Sequence, residues 1–197
     1  MAVGRVCTGF SLPYIAKYAA TGGTITYSDA QKLARGVSVS IEPESSDSNN
    51  FYADNVLAES VTGTFTGGTA TVTVDGLLTA AEALIMGLPE ATTVNTVEVL
   101  QYGDSANPPY LGFGFLARYM SDGVTTYVPY VLTKVKFQIP STSANTQEDE
   151  IDWQTQELTA TVMRDDSAGH NWKMIGATAY STEAEAETAL KKMLGAA

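Results

Sequence analysis

The chain is short of the residues on which most chemistry depends. Among 197 residues there is one cysteine, one histidine and only 11 lysines and arginines. A lone cysteine, Cys7, excludes an intrachain disulfide, and its expected place is that of a small buried hydrophobe. One Cys with one His excludes zinc sites built from those residues. A Ser–His–Asp centre would have to use His170, yet "DDSAGHNWK" fixes no nucleophile beside it, so a solvated loop histidine is expected. A glycine-rich phosphate loop is missing too, because Gly112 and Gly114 fall inside an expected strand rather than at a strand-to-helix turn. The carboxylate pair of a glycoside hydrolase is defined by a separation in space, and no pattern here points to one.

No run approaches the roughly 20 apolar residues of a membrane helix. The start, "MAVGRVCTGFSLPY", has no basic leader followed by an apolar run of signal-peptide length. Synthesis and folding in a reducing cytoplasm, without membrane insertion, are the expectation. The formal charge of −11 makes the surface repel nucleic acid rather than bind it. "QEDEIDW" (147–153) gathers four carboxylates but lacks the glycine and alternating spacing of a calcium loop, so a solvated charge run is expected. No cofactor is implied, and the sequence does not read as an enzyme.

What the chain does have is apolar residues (44%), 17 glycines, 10 tyrosines and abundant threonine, a composition that leans towards strands. A length of 197 residues suits one domain spanning 1–197. "LARGVSVSIE" (33–42) alternates, with Leu33, Val37, Val39 and Ile41 on one face and Ala34, Gly36, Ser38, Ser40 and Glu42 on the other. "LAESVTGTFTGGTATVTVDG" (57–76) reads as two strands joined by a tight turn at Gly67-Gly68. Further strands are expected at 93–102, 110–120, 125–139, 151–165 and 172–181. Asp122-Gly123 marks a hairpin, and Pro129 an edge or bulge.

Two helices carry start signals. Thr79 with Glu82 forms a capping box closed by Gly87 and Pro89. Thr182 with Glu185 opens a C-terminal helix at 183–194, with its acids early and Lys191 and Lys192 late. The expected fold is α+β and mainly β: a β-sandwich or barrel flanked by two helices.

The informative pair is 33–42 with 57–66. One face is aliphatic and aromatic. The other, with Ser38, Ser40, Glu42, Ser60, Thr62 and Thr64, is small and hydroxylated, as suits the wet wall of a channel. Between the two lies the polar stretch 43–56, which nonetheless holds Phe51 and Tyr52.

This order of elements, with "VSVSIEPES", "FYADN", "VTGTFTGGTATVTVDGL", "TAAEALIMG" and "WQTQELTATV", resembles the major tail (tail tube) proteins of long-tailed phages with non-contractile tails, over roughly residues 5–180. The resemblance implies a structural virion protein, assembled in the host cytoplasm into stacked, six-fold rings that form a hollow tube. DNA passes through that tube without specific binding. Tape-measure, tail-terminator and distal tail proteins are the implied partners. It makes the polar stretch an extended inter-subunit loop, with Glu44, Asp47, Asn49, Phe51, Tyr52, Asp54 and Asn55 as contact residues. Phe51 and Tyr52 are its anchors, and Asp54 and Asn55 its turn formers. Ser38, Ser40, Glu42, Ser60, Thr62 and Thr64 are the implied lumen face. A non-polymerising β-sandwich module for binding or decoration is the alternative.

Overall fold

A computed structural model describes residues 4–147 and 153–196. The protein is α+β and mainly β. Its principal sheet runs in the order β2 (Thr24–Lys32), β1 (Val6–Thr21), β9 (Leu111–Ser121), β10 (Val124–Phe137), β11 (Gln156–Met163), β6 (Phe65–Val74) and β3 (Gly36–Ser45), with β12 (Lys173–Ile175) paired to β10. All neighbours are antiparallel. The hydrogen-bonded order has two ends, β2 and β3, so the sheet is open rather than a closed barrel. Two small ribbons stand outside it, β4 (Asn49–Ala53) with β5 (Val56–Val61), and β7 (Thr92–Val94) with β8 (Val97–Val99).

The sheet folds over its own core because its longest strands bend at irregularities. β1 breaks register between Ser11 and Tyr14, and β10 between Leu132 and Val135, as bulges do when they re-aim a strand. Inside the fold Ile15, Val72, Val74, Phe113, Phe115, Phe137 and Leu158 pack with Leu84 and Ile85 of α1 (Thr79–Met86). On the outer face Ala16, Leu116 and Val131 receive Ala186, Leu190 and Leu194 from the segment of α2 (Glu183–Met193) and its cap.

β9 is buried on both faces, and "GFGF" explains how. Phe113 and Phe115 fill the inner core. A Cβ on Gly114 would lie 2.7 Å from Leu190 Cδ1, so glycine is what lets α2 lie down on the sheet.

The C-terminal helix starts as its sequence predicts, with Thr182 Oγ1 accepting from the Glu185 N–H at 3.3 Å. The first helix does not. Its N-cap is Leu78, with no side-chain cap, and Thr79 is already helical. The Leu78 N–H is used instead by Leu33 O at 3.3 Å, so docking onto the β2–β3 connection sets where the helix begins. Gly87 closes it in the left-handed conformation at φ 58°. Asp122 and Gly123 make the β9–β10 turn with φ 48° and 77°. Pro129 is at neither an edge nor a bulge: it pairs with Leu116 of β9 on one side, and on the other its carbonyl accepts from the Gly176 N–H at 2.8 Å, just past β12.

Three further expectations are corrected here. Gly67 and Gly68 lie inside β6 and form no turn. Gly68 faces Pro43, and a Cβ there would sit 2.7 Å from Glu42 O, so the glycine admits the close approach of β3. The expected strand at 93–102 is the β7–β8 hairpin, turned by Asn95 and Thr96 at φ 49° and 71°. Cys7 is exposed, because the start of β1 runs out past the packed core.

Candidate assembly surface

The partner of β3 is β6, not residues 57–66. The register is Ser38↔Thr73, Ser40↔Thr71 and Glu42↔Thr69. β6 carries it on to β11 as Thr73↔Glu157, Thr71↔Thr159 and Thr69↔Thr161, and Thr161 faces Lys136 of β10. Cross-strand partners share a face, so a hydroxylated wall crosses four strands: Ser38, Ser40, Thr69, Thr71, Thr73, Thr159 and Thr161, edged by Glu42, Glu157 and Lys136. The alternate residues Val39, Val72 and Leu158, and Ile41, Ala70, Ala160 and Phe137, face the inner core. A small, hydroxylated face therefore exists with Ser38, Ser40 and Glu42 on it. Ser60, Thr62 and Thr64 stand elsewhere, since the true partner strand begins only at Phe65. Val37 also leaves its expected face. The register slips between Gly36 and Ser38, leaving Val37 54% exposed.

The stretch between β3 and β6 is a hairpin rather than a loop. At its foot the Ser46 N–H donates to Thr64 O at 2.9 Å, and the Thr64 N–H donates to Ser46 Oγ at 3.0 Å. A Cβ on Gly63 would fall 1.7 Å from Ser46 O, so only glycine lets the two legs meet there. β4 and β5 then pair out to a two-residue tip. Asp54 and Asn55 make that tip, with φ 51° and 63°, as a type I′ turn requires. Ser60 Oγ donates to Asn50 Oδ1 across the ribbon at 2.6 Å.

Every residue of the two ribbon strands is exposed. By the register, Phe51 shares a face with Glu59, and Val56 and Val61 lie on that side with Ala53 and Asn49. Tyr52 and Leu57 share the opposite face. Phe51 and Tyr52 are 64% and 63% exposed, Val56 65%, Leu57 50% and Val61 63%. Isolated exposed apolar residues are ordinary. Five of them on both faces of one projecting ribbon leave no side that its own domain covers, and contiguous patches of this kind mark interaction sites. Glu44, Asp47, Asp54 and Glu59 put four acids on the ribbon and its foot, and residues 36–117 hold ten acids with no Lys or Arg at all. Below the foot the Arg164 guanidinium donates to the Phe65 carbonyl.

Other charged groups serve the body of the domain. Glu187 accepts from the Tyr14 hydroxyl at 2.6 Å and pairs with Lys191 at 2.8 Å. The Lys191 bond, then the Tyr14 bond, hold the Glu187 carboxyl below its ordinary value. Burial, then the hydrogen bond to Tyr130, push Tyr119 up to about 12. Asp165 is buried and accepts from Ser167 Oγ and the Asn171 N–H at 2.6 and 2.9 Å, ordering the exposed loop that carries His170. The acidic residues Glu148, Asp149, Glu150 and Asp152 lie outside the described residues. Among the described residues no three His, Cys, Asp or Glu side chains gather to hold a metal ion, and no helix is long and apolar enough to cross a membrane.

Comparison with protein-family models gives no match, and none of the curated proteins is significantly similar to the chain.

Proposed function

We propose that this protein is a self-assembling structural subunit, the tube-forming protein of a non-contractile phage tail. Copies close into rings that stack around a lumen through which DNA passes. The observation that carries this reading is the β4–β5 ribbon: an ordered hairpin held by a hydrogen-bonded foot, apolar on both faces and covered on neither. A monomer gains nothing from projecting five large apolar side chains into water. Repeated copies gain a contact in every subunit.

The hydroxylated wall supports the reading further. Its threonine rows, with acids rather than bases at most edges, offer a phosphate backbone little to bind, which suits a surface that DNA slides along. The two open sheet edges are closed in a ring by neighbouring subunits, a standard way to manage exposed strands. Tape-measure, tail-terminator and distal tail proteins would meet the assembled tube, and the virion tail is its place. No catalytic step is assigned to any residue.

The test is to replace Asp47–Val61 by a short turn and follow the variant by sedimentation. A folded subunit that no longer forms particles is expected. Normal tubes without the ribbon would refute its role, and unfolding of the body would show that the ribbon belongs to the domain's own structure.

A further inference from the structure

The ribbon needs a receptor, and a second projecting tip of the same molecule matches it in shape and charge. The β9–β10 hairpin runs out with the start of β1 beside it, pairing Val6↔Met120 and Val124↔Ser121. Met120 lies on the side of Arg118, with Val6 opposite it. Cys7↔Tyr119 forms the other side, where the Arg5 guanidinium stands 4.6 Å from the Tyr119 ring centre. Val6, Met120 and Val124 are 67%, 39% and 63% exposed. Like the ribbon, this tip has apolar side chains that nothing covers, but its two arginines outnumber its one carboxylate, Asp122 at the turn. It carries an arginine on each side, and neither has a carboxylate at ion-pair distance among the described residues.

Both tips lie at the same end of the sheet. Through the antiparallel order β9 and β3 run the same way, so both leave the sheet in one direction, although the ribbon's foot is set back: β11 begins to pair at Lys134, ten residues along β10 from Val124. Within one copy the two tips do not meet, since both are exposed. The far end has exposed apolar residues as well, Ile139 at 76% and Trp153 at 84%. In the sequence, however, Trp153 follows Glu148, Asp149, Glu150 and Asp152, which would repel an acidic ribbon.

From this complementarity we infer that the β4–β5 ribbon of one copy docks on the β1/β9–β10 tip of a neighbouring copy, its acids against Arg5 and Arg118. The inference rests on the assembly reading above and names the surface that the ribbon meets. Because both surfaces sit at one end, the contact reaches sideways. Such a heterologous contact, repeated around an axis, closes a ring. Opposite charges at its rim speed and orient the encounter, and salt weakens them.

The test is a charge exchange read by the concentration needed for sedimentable assembly. Arg118→Glu alone and Glu59→Arg alone should each raise that concentration severalfold at low salt, and the chain carrying both should return to within about twofold of the original. Unchanged single variants, or a double variant no better than the worse single one, would overturn the docking.

A second arm uses the thiol already at the tip. Asp54→Cys, treated with a mild thiol oxidant, should form disulfide-linked dimers and higher ladders through Cys7 of another copy, and Cys7→Ser should abolish them. The two ideas then fail separately. Tubes without the ladder would overturn the docking and leave the tube reading standing. A Cys7-dependent dimer from a protein that never forms tubes would support the docking and refute the tube. No dimer and no tube would refute both.

Discussion

The hydroxylated wall can be tested one residue at a time, because neighbouring positions on β6 face opposite environments. Val72 is fully buried, between Val39 of β3 and Leu158 of β11. Thr71 faces the other way, flanked by Ser40 and Thr159. A lysine at Val72 must give up its charge. Bringing its pKa from about 10.4 down to 7 costs about 1.36 kcal/mol per unit, or about 4.6 kcal/mol at neutral pH. Forcing a longer side chain into a packed site adds about 1–3 kcal/mol. The total, about 6–8 kcal/mol, exceeds the lower end of the 5–15 kcal/mol typical of a domain and is about half of the upper end.

Val72→Lys should therefore be largely unfolded at pH 7, whereas Thr71→Lys should stay within about 0.5 kcal/mol of the parent. The assay is urea unfolding followed by circular dichroism, repeated at higher pH. The unfolded state of Val72→Lys binds more protons than the folded state, so its stability rises with pH. Between pH 7 and 9.5 it should recover about 3.4 kcal/mol relative to the parent. Equal tolerance at both positions, or no pH recovery at Val72, would refute the assignment of faces.

Phe51→Ala with Tyr52→Ala should change the monomer melting temperature little, since both side chains are mostly in water, yet raise the assembly concentration severalfold; a large melting shift with normal assembly would place them in the subunit's own core. Gly63→Val should disrupt the ribbon foot against Ser46 O, exposing residues 47–61 to limited proteolysis while the body melts nearly as before. Gly114→Val should push α2 off the sheet and cost about 1–3 kcal/mol by overpacking, measured by urea unfolding. Glu187→Gln should flatten the acid limb of stability. A carboxylate held below its ordinary value stabilises the fold above 4.5 and loses that contribution as pH falls through its folded value, so the parent and variant should converge in strong acid.

The class of fold was legible because the alternation of Val39 and Ile41 with Ser38 and Ser40 is a local signal, as are the Asp122-Gly123 turn and the Thr182–Glu185 cap. Pairing was not, because it is decided by contacts far apart in sequence. Gly67-Gly68 is a strong turn signal, and only the approach of Pro43 explains why those residues lie in mid-strand. That error displaced the partner strand, so Ser60, Thr62 and Thr64 were assigned to the wall in place of Thr69, Thr71 and Thr73.

The ribbon did carry a signal: Asp54-Asn55 between "NNFYA" and "VLAESV" is a two-residue hairpin turn, masked by the polar residues before it. β1 and β2 left no clean alternation, because bulges at Ser11–Tyr14 and Ile15–Lys17 break the period twice. The aromatic pair in a polar stretch did not by itself say whether Phe51 and Tyr52 pack back on the domain; their place as contact residues came from the resemblance, and their exposure follows from the projection of the ribbon. The aliphatic and aromatic face expected of 57–66 is split: Leu57 and Val61 stand on the ribbon, and Phe65 stacks on Trp172 at 4.5 Å.

The central claim is polymerisation into a hollow tube, and electron microscopy of the purified protein across a range of concentrations tests it most directly. The account predicts rings and stacked tubes of uniform width, with a central lumen wide enough for a DNA duplex, appearing above a threshold concentration. Monodisperse particles of 20.9 kDa at every concentration, with the ribbon intact, would contradict it.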